Sequence, residues 1–361
     1  MMRAWLDDRV RELYPGAFAF VMATGIVSNA FFALDRRLLS DALLAVNLVA
    51  FPLLVVATIL RAARHGRELG RDLIDPWLVF SFFTIVAGSD VLGLQLMLRG
   101  DRSAALVLWL FALVLWILLS YFSFSVLTFV NYEKSGADVV HGGWLIGIVG
   151  TESLVLLGAR LAPTLGSSEQ LAFVGIYTLW GIGIVLYGIF VTLFSYRIFF
   201  LRLEAAEMVP LFWVVMGASA ISTNAGSILI VSRPDLPFLQ AMRPFMEGTT
   251  LILWAWSTWL IPLLVIFGVW RHVVQRFPLT YHPAYWSLVF PLGMYTVATY
   301  RFSLAADYAP LRDVARAGVW VAFAAWTITA AGMLAGAGRD ISRYGRSAPA
   351  TRPGPAPGSP S

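Results

Sequence analysis

The sequence contains no cysteine and very little charge. Without cysteine the chain cannot form disulfides or zinc–thiolate sites, and it has no thiol nucleophile. Charged residues make up only 13% of the 361 positions, whereas a soluble domain carries about a quarter. So few charges cannot cover a water-exposed surface, and 59% of the residues are apolar. These shortages predict a protein integral to a membrane.

Lysine is nearly absent as well: Lys134 is the single lysine among 26 basic residues, and the others are arginines. The arginines fall in short segments between long apolar runs. The net charge of +5 therefore indicates membrane topology and does not indicate binding of nucleic acid.

The two ends of the chain differ from its apolar middle. The beginning, "MMRAWLDDRVRELYPG", is charged and amphipathic, which does not fit a cleavable signal peptide. The end, "GRSAPATRPGPAPGSPS", is rich in small residues and proline and has no apolar period. We predict a cytoplasmic N-terminal segment at 1–15, a ten-helix transmembrane domain at 16–337 and a disordered cytoplasmic tail at 338–361.

Apolar runs long enough to cross a bilayer, about 20 residues each, predict ten helices. Turn and charge signals separate the runs, as in "LDRRLLSD" and "LRGDRS". The predicted spans are 16–34, 40–60, 76–98, 103–130, 139–160, 170–197, 209–231, 247–270, 284–303 and 314–337.

The distribution of basic residues predicts the orientation. Sixteen of the 26 lie in the N-terminal segment, the loops that follow even spans, and the C-terminal tail. Ten lie in the loops that follow odd spans. Because basic residues concentrate on the cytoplasmic side, both termini are predicted to be cytoplasmic in a multi-pass protein of the plasma or bacterial inner membrane.

Odd and even spans differ at their centres. The seven central residues of the odd spans, such as "MATGIVS" and "GIVGTES", hold 12 polar or acidic residues in total, and those of the even spans hold four. Small residues at helix centres can serve close packing alone. The regular alternation also fits odd helices that face a pathway and even helices that face lipid. Both interpretations remain open from the sequence.

Three stretches resemble a known family: "PGAFAFVMATGIVSNA" (15–30), "FWVVMGASAISTNAG" (212–226) and "YWSLVFPLGMYTVAT" (285–299). They are similar to the first, seventh and ninth helices of the tellurite-resistance/dicarboxylate transporter family, which includes slow anion channels and fungal malate and sulfite transporters. A weak internal repeat relates "ATGIVSNA" (23–30) to "ASAISTNA" (218–225).

The resemblance implies five helical hairpins in a quasi-five-fold ring around a central pore, with odd helices inside, and assembly as a homotrimer. It implies passive or proton-linked movement of small anions. These could be C4-dicarboxylates such as malate, or chloride, nitrate or sulfite. A phenylalanine of the ninth helix closes the pore in the family, and it corresponds to Phe290.

The string "WSLVFPLG" (286–293) places Pro291 directly after this phenylalanine. Proline removes a helical hydrogen bond, and in lipid such a break is tolerated only where protein or a wet cavity covers it. We predict that Phe290 is the gate and Pro291 the bend that aims it. The alternative is that Phe290 packs against a neighbouring hairpin and Pro291 is a passive kink.

Polar residues near the odd centres are the candidate pore lining. They are Thr24, Gly25, Ser28, Ser89, Asp90, Thr151, Glu152, Ser222, Thr223 and Thr296. Asp90 and Glu152 are acids in mid-membrane, where ionisable groups are costly and commonly functional. Each acid could be hydrogen-bonded between helices, or could carry a proton coupled to anion movement.

No arginine lies near a span centre, which argues against a tight anion site there. Arg301 ends the ninth span; it could snorkel to the outer interface or attract anions to the mouth. The sequence shows no ligand spacing for a metal, no cofactor motif and no catalytic constellation. A membrane enzyme acting on a lipid-linked substrate and a structural subunit are the alternatives from other classes.

Overall fold

A computed structural model of the chain describes residues 2–130, 141–201 and 204–346. All regular structure within these ranges is helical. The predicted loop at 131–138, which contains Lys134, and the predicted start of the fifth span at 139 lie outside the described residues. So does the part of the predicted tail at 347–361.

The α-helices of the described residues are numbered here in chain order. They are α1 Met2–Arg11, α2 Ala19–Ala33, α3 Arg37–Arg64, α4 Gly66–Ile74, α5 Phe83–Met97, α6 Arg102–Phe129, α7 Ile146–Leu161, α8 Glu169–Phe200, α9 Val214–Ser232, α10 Pro237–Ala241, α11 Arg243–Val269, α12 Trp286–Ala305 and α13 Leu311–Arg346. The last helix continues through Arg346, past the predicted domain boundary at 337.

Ten of these helices correspond to the predicted spans, and eight are long and apolar enough to cross a membrane. The two others are the first and the ninth spans. Helix α2 has only 15 residues, or about 22 Å at 1.5 Å per residue. Helix α12 has 20 residues, but hydroxyls, Pro291 and Arg301 dilute its apolar content. The described part of the chain is all-helical, and the chain is a multi-pass membrane protein.

Odd and even spans differ sharply in burial, as their central residues predicted. The most apolar stretches of α5, α7 and α9 are 89–94% buried, whereas those of α3, α6, α8, α11 and α13 are only 11–39% buried. Helices α2 and α12 are also buried along most of their length. We call α2, α5, α7, α9 and α12 the inner helices, and α3, α6, α8, α11 and α13 the outer helices.

Contacts between the helices repeat five times along the chain. Each inner helix packs against the outer helix that follows it in sequence, and this outer helix also touches the next inner helix. The inner helices contact one another in the order α2, α5, α7, α9 and α12, and α12 returns to α2. The five inner helices therefore form a closed circuit of contacts.

Most inner helices begin with a short 3₁₀ turn. These turns are Val79–Phe82, Gly142–Leu145, Pro210–Trp213 and Pro283–Tyr285, and each touches the next in that order. The Thr84 hydroxyl, at the start of α5, lies 3.4 Å from the carbonyl oxygen of Pro15, just before α2. All five inner helices therefore begin at the same end of the molecule.

Two histidines cap these turns in the same way. The backbone N–H of Gly143 donates to His141 Nδ1 at 3.0 Å, and that of Ala284 donates to His282 Nδ1 at 3.1 Å. An imidazole nitrogen can accept a hydrogen bond only when it carries no proton. Burial lowers the pKa of His282, which favours this accepting form.

The N-terminal helix and the last helix meet at the end where the inner helices begin. Arg9 on α1 pairs with Asp340 on α13 at 3.0 Å, and Asp7 on α1 lies 3.6 Å from Arg64 on α3. Helix α1 and the described end of α13 therefore lie at the same end of the molecule.

Two glycines on either side of Phe290 allow neighbouring inner helices to approach each other closely. A Cβ added to Gly217 on α9 would lie 2.7 Å from Cγ and 3.3 Å from Cα of Pro291 on α12. A Cβ added to Gly293 on α12 would lie 2.7 Å from Cγ2 of Ile26 on α2. Larger residues at these two positions would force the helices apart.

We expect Gly217→Ala to lower the thermal midpoint of the purified protein, because overpacking against a rigid proline ring costs about 1–3 kcal/mol. The matched control is Gly175→Ala on outer helix α8, where an added Cβ meets no atom within 4 Å. Alanine there should be neutral or stabilising by up to about 1 kcal/mol. Equal midpoints for the two variants would contradict the close contact between α9 and α12.

Candidate functional site

Phe290 lies on the side of α12 that faces the enclosed interior. Pro291 packs against α9 through Gly217, and Gly293 packs against α2 through Ile26. Since successive helical residues turn by about 100°, Phe290 points between these two neighbours. Its side chain is 2% exposed, so it is closely packed and has almost no contact with solvent in this conformation.

Pro291 does not interrupt α12, which runs as one helix through it. The ring removes the hydrogen bond that would reach the carbonyl of Ser287. Its neighbour across the interface is a glycine, which leaves space for the ring. The structure therefore accommodates the proline by close packing on α9. The predicted role of Pro291 in aiming Phe290 stays a prediction.

The inner face of α7 can be located in the same way. Glu152 bonds to α9 and Ser153 bonds to α5, so residues between these two directions face the interior. They are Val149, Leu156 and Arg160. Val149 and Leu156 are 1% and 2% exposed, which makes this part of the interior apolar and closed.

Four predicted pore-lining hydroxyls contact outer helices. Trp326 Nε1 donates to Thr24 at 2.9 Å, Ser28 donates to the carbonyl of Ser40 at 2.7 Å, Trp116 Nε1 donates to Thr151 at 2.7 Å, and Thr296 faces Gly318. These bonds link inner helices to α13, α3 and α6. Because the four side chains are engaged on the outer side, they do not line the enclosed interior in this conformation.

Three other predicted positions also make packing or local contacts. Gly25 packs against Val91 of α5. Ser89 donates to the carbonyl of Ile85, and Thr223 donates to that of Ser219, each within its own helix. Serine and threonine satisfy their hydroxyls in this way inside apolar surroundings.

The two mid-membrane acids join neighbouring inner helices. The Ser153 hydroxyl on α7 donates to Asp90 Oδ2 on α5 at 2.8 Å, and the Ser222 hydroxyl on α9 lies 3.1 Å from Glu152 Oε1 on α7. Both acids are at most 1% exposed. Asp90 Oδ1 and Glu152 Oε2 have no hydrogen-bond partner among the described residues. The contacts tie α5, α7 and α9 in series.

Two buried amides were missed from the sequence. Neither polar atom of the Asn29 side chain on α2 has a partner among the described residues, and neither does Asn224 Oδ1 on α9. Asn29 and Asn224 occupy matching positions in the internal repeat formed by "ATGIVSNA" and "ASAISTNA". That match was the signal available in the sequence. Buried amides without partners are costly, which makes both positions candidates for contact with a hydrated solute.

The described residues contain no group of three or more histidine, aspartate or glutamate side chains that could hold a metal ion. The buried side chains of the inner helices in the described ranges instead include Phe290, amide atoms without partners and two acids bonded by hydroxyls.

Comparison with protein families decides the class. The family described as voltage-dependent anion channel (SLAC1) matches residues 12–334. The chain belongs to this anion channel family. The match spans nearly the whole chain and confirms the family predicted from the three helices.

Similar proteins extend across bacteria and archaea. An uncharacterized membrane protein of Mycobacterium tuberculosis is 42% identical over 151 residues, which is 42% of this chain and 76% of that protein. Two uncharacterized transporters of Methanocaldococcus jannaschii are 24% and 25% identical over 335 and 334 residues. These alignments cover 90% and 89% of this chain, and 94% and 92% of the two transporters.

We expect Glu152→Gln to fold normally and to match the unmodified protein in any pH-dependent uptake of anions into liposomes, because the amide oxygen can still accept a hydrogen bond from Ser222. The measurement compares uptake driven by a pH gradient with the thermal midpoint of the same preparation. The control, Ser222→Ala, removes the bond from the other helix. If Glu152→Gln were folded but had lost pH-driven uptake, Glu152 would be a proton carrier and the structural role would be wrong.

Proposed function

We propose that this family member moves small anions across the membrane through the interior enclosed by its five inner helices. The hairpins would form a quasi-five-fold ring, with the outer helices against lipid. The observation that carries the proposal is the closed circuit of inner-helix contacts, with Phe290 on its enclosed side.

The helix ends favour anions on physical grounds. Because the inner helices begin at one end of the molecule, their backbone dipoles are parallel. The partial positive charges of their N-termini lie together where the leading turns touch. Dipoles of this kind stabilise an anion mildly, so it can leave as easily as it enters.

Phe290 is the proposed gate of this path. A narrow constriction lined by large apolar groups excludes water and so raises a barrier to a hydrated ion. Val149 and Leu156 add apolar bulk on α7, so the interior is closed in this conformation. Opening requires the Phe290 ring to move, or α12 to move relative to α9.

A proton-coupled carrier of dicarboxylates or sulfite is the second candidate. The observation that favours it is that two carboxyl oxygens on inner helices, Asp90 Oδ1 and Glu152 Oε2, have no hydrogen-bond partner within the described ranges. Uptake driven by a pH gradient in the unmodified protein separates the two candidates, and the Glu152→Gln variant tests whether Glu152 carries the proton.

We further propose a homotrimer in the plasma or inner membrane, with both termini in the cytoplasm. The outer helices expose large apolar side chains, such as Leu53, Val107 and Trp259, that could contact lipid or another subunit. A monomeric mass in mild detergent, together with no cross-linked species in native membranes, would rule out the trimer.

We expect Phe290→Ala to increase anion flux strongly, because a smaller side chain leaves the constriction open. The measurement is chloride, nitrate, sulfite, malate and succinate flux per reconstituted protein, taken in turn. The order of these rates also identifies the anion class. Phe290→Leu should conduct less than the alanine variant, because leucine still fills much of the space.

The matched control for packing is Phe31→Ala. Phe31 is equally buried but packs against Trp320 and Phe323 of outer helix α13. Both substitutions remove a buried ring, which costs about 3–5 kcal/mol in soluble proteins. Both should lower yield, but only Phe290→Ala should raise flux. Unchanged or lower flux in Phe290→Ala would contradict the gate assignment.

A further inference from the structure

A cavity of about 380 Å³ lies at the end of the molecule where the inner helices finish. It is bounded by the C-terminal ends of α7, α9 and α12 and lies opposite the leading turns. Its polar lining consists of Arg160, Ser227, Ser232 and Arg301. The remaining lining is apolar, so any charge complementarity to a ligand must come from the two arginines.

Arg160 and Arg301 reach this cavity from different inner helices. Arg160 continues the inner face of α7 defined by Val149 and Leu156. Arg301 lies about three helical turns beyond Phe290 on the same face of α12, or roughly 16 Å along the axis. The cavity therefore lies on the inner side of the helices, in line with the closure at Phe290.

The two guanidinium groups have no counter-ion among the described residues. No aspartate or glutamate of the described ranges forms an ion pair with either of them. Their Nε atoms are shielded from solvent and have no hydrogen-bond acceptor there. Two buried arginines of the described residues are paired with acids, Arg61 with Asp72 at 2.7 Å and Arg197 with Glu207 at 3.1 Å, whereas buried Arg271 donates to the carbonyl of Met208.

Bringing these two positive charges together is unfavourable, because they repel each other. The serine hydroxyls do not relieve this, because Ser227 donates to the carbonyl of Thr223 and Ser232 donates to that of Ile228. Within the part of the chain that the structure describes, the guanidinium groups are therefore the donors left without an acceptor in the cavity. A guanidinium presents two parallel N–H groups, which match the paired oxygens of a carboxylate or a sulfur oxyanion.

We propose that Arg160 and Arg301 form a binding site for a doubly charged oxyanion, either a dicarboxylate or a sulfate-like ion, at this mouth of the path. The site deepens the proposed function and rests on it only for its place in transport. Two forks on separate helices can each hold one acidic group of a dicarboxylate, or can share the oxygens of one tetrahedral ion. Chloride offers neither arrangement and should bind weakly.

The absence of cysteine allows a direct test of this site in the full-length protein. Ser232→Cys places a single thiol in the cavity wall, and Ser167→Cys places one at an exposed position in the turn after α7, at the same end. Each thiol is reacted with a sulfonate-bearing and a trimethylammonium-bearing methanethiosulfonate reagent in maltoside detergent, which carries no phosphate.

We expect the cavity thiol to favour the anionic reagent over the cationic one by about tenfold more than the exposed thiol does, because the local potential is positive. Malate and sulfate should protect the cavity thiol, and chloride at equal ionic strength should not. Adding Arg160→Gln or Arg301→Gln should remove both the preference and the protection. Arg301→Lys should keep the preference but lose much of the protection, because lysine lacks the planar fork.

If a glutamine variant does not fold, the site is tested by Arg301→Lys and by the protection of the Ser232→Cys thiol by malate and sulfate. Equal protection by chloride, or full protection by malate and sulfate in the folded glutamine variants, would overturn the site. Protection of the thiol without measurable anion flux would support the binding site and contradict the proposed function. Anion flux without protection of the thiol would overturn the site and leave the proposed function in place.

Discussion

The close contact between inner helices is the constraint on which the rest of this structure depends. At Gly217 and Gly293 the missing side chain lets α12 lie directly against α9 and α2. Since lipid provides no hydrophobic drive to bring helices together, small residues and van der Waals contact must do so. These two contacts fix the rotation of α12. Phe290 lies between them on the helix surface and therefore points toward the interior.

The polar residues of the inner helices serve mainly to hold neighbours in place. Asp90 and Glu152 receive hydroxyl donors across helix boundaries, and Thr24 and Thr151 accept from outer-helix tryptophans. In a bilayer these bonds also satisfy groups that lipid cannot. The enclosed side is thereby left to apolar side chains at the centre and to arginines at the end where the inner helices finish. This division is opposite to a pore lined by hydroxyls.

The sequence predicted the class of helix but not the direction of its side chains. Polar odd centres and bulky even centres anticipated which helices are buried, because burial depends on composition averaged over a span. Thr24 and Phe290 could not be assigned a side in that way, since this depends on which neighbour each face meets. Gly217 and Pro291 are 74 positions apart in the chain, and only the fold brings them together. From the sequence, Arg160 was interpreted only as one of the basic residues that set membrane orientation. Its inward position follows from the contacts that Glu152 and Ser153 make with neighbouring helices.

The most direct test of a path enclosed by the inner helices is a cysteine scan of α12 in the Phe290→Ala background, which we expect to conduct. A thiol reagent should block flux at Val297, which shares the inner face with Phe290. It should have no effect at Thr296, which faces Gly318 of α13, or at Thr299, which accepts a hydrogen bond from Trp254 of α11. Block at Thr296 or Thr299 with a silent Val297 would place the path on another side of α12 and contradict the enclosed interior.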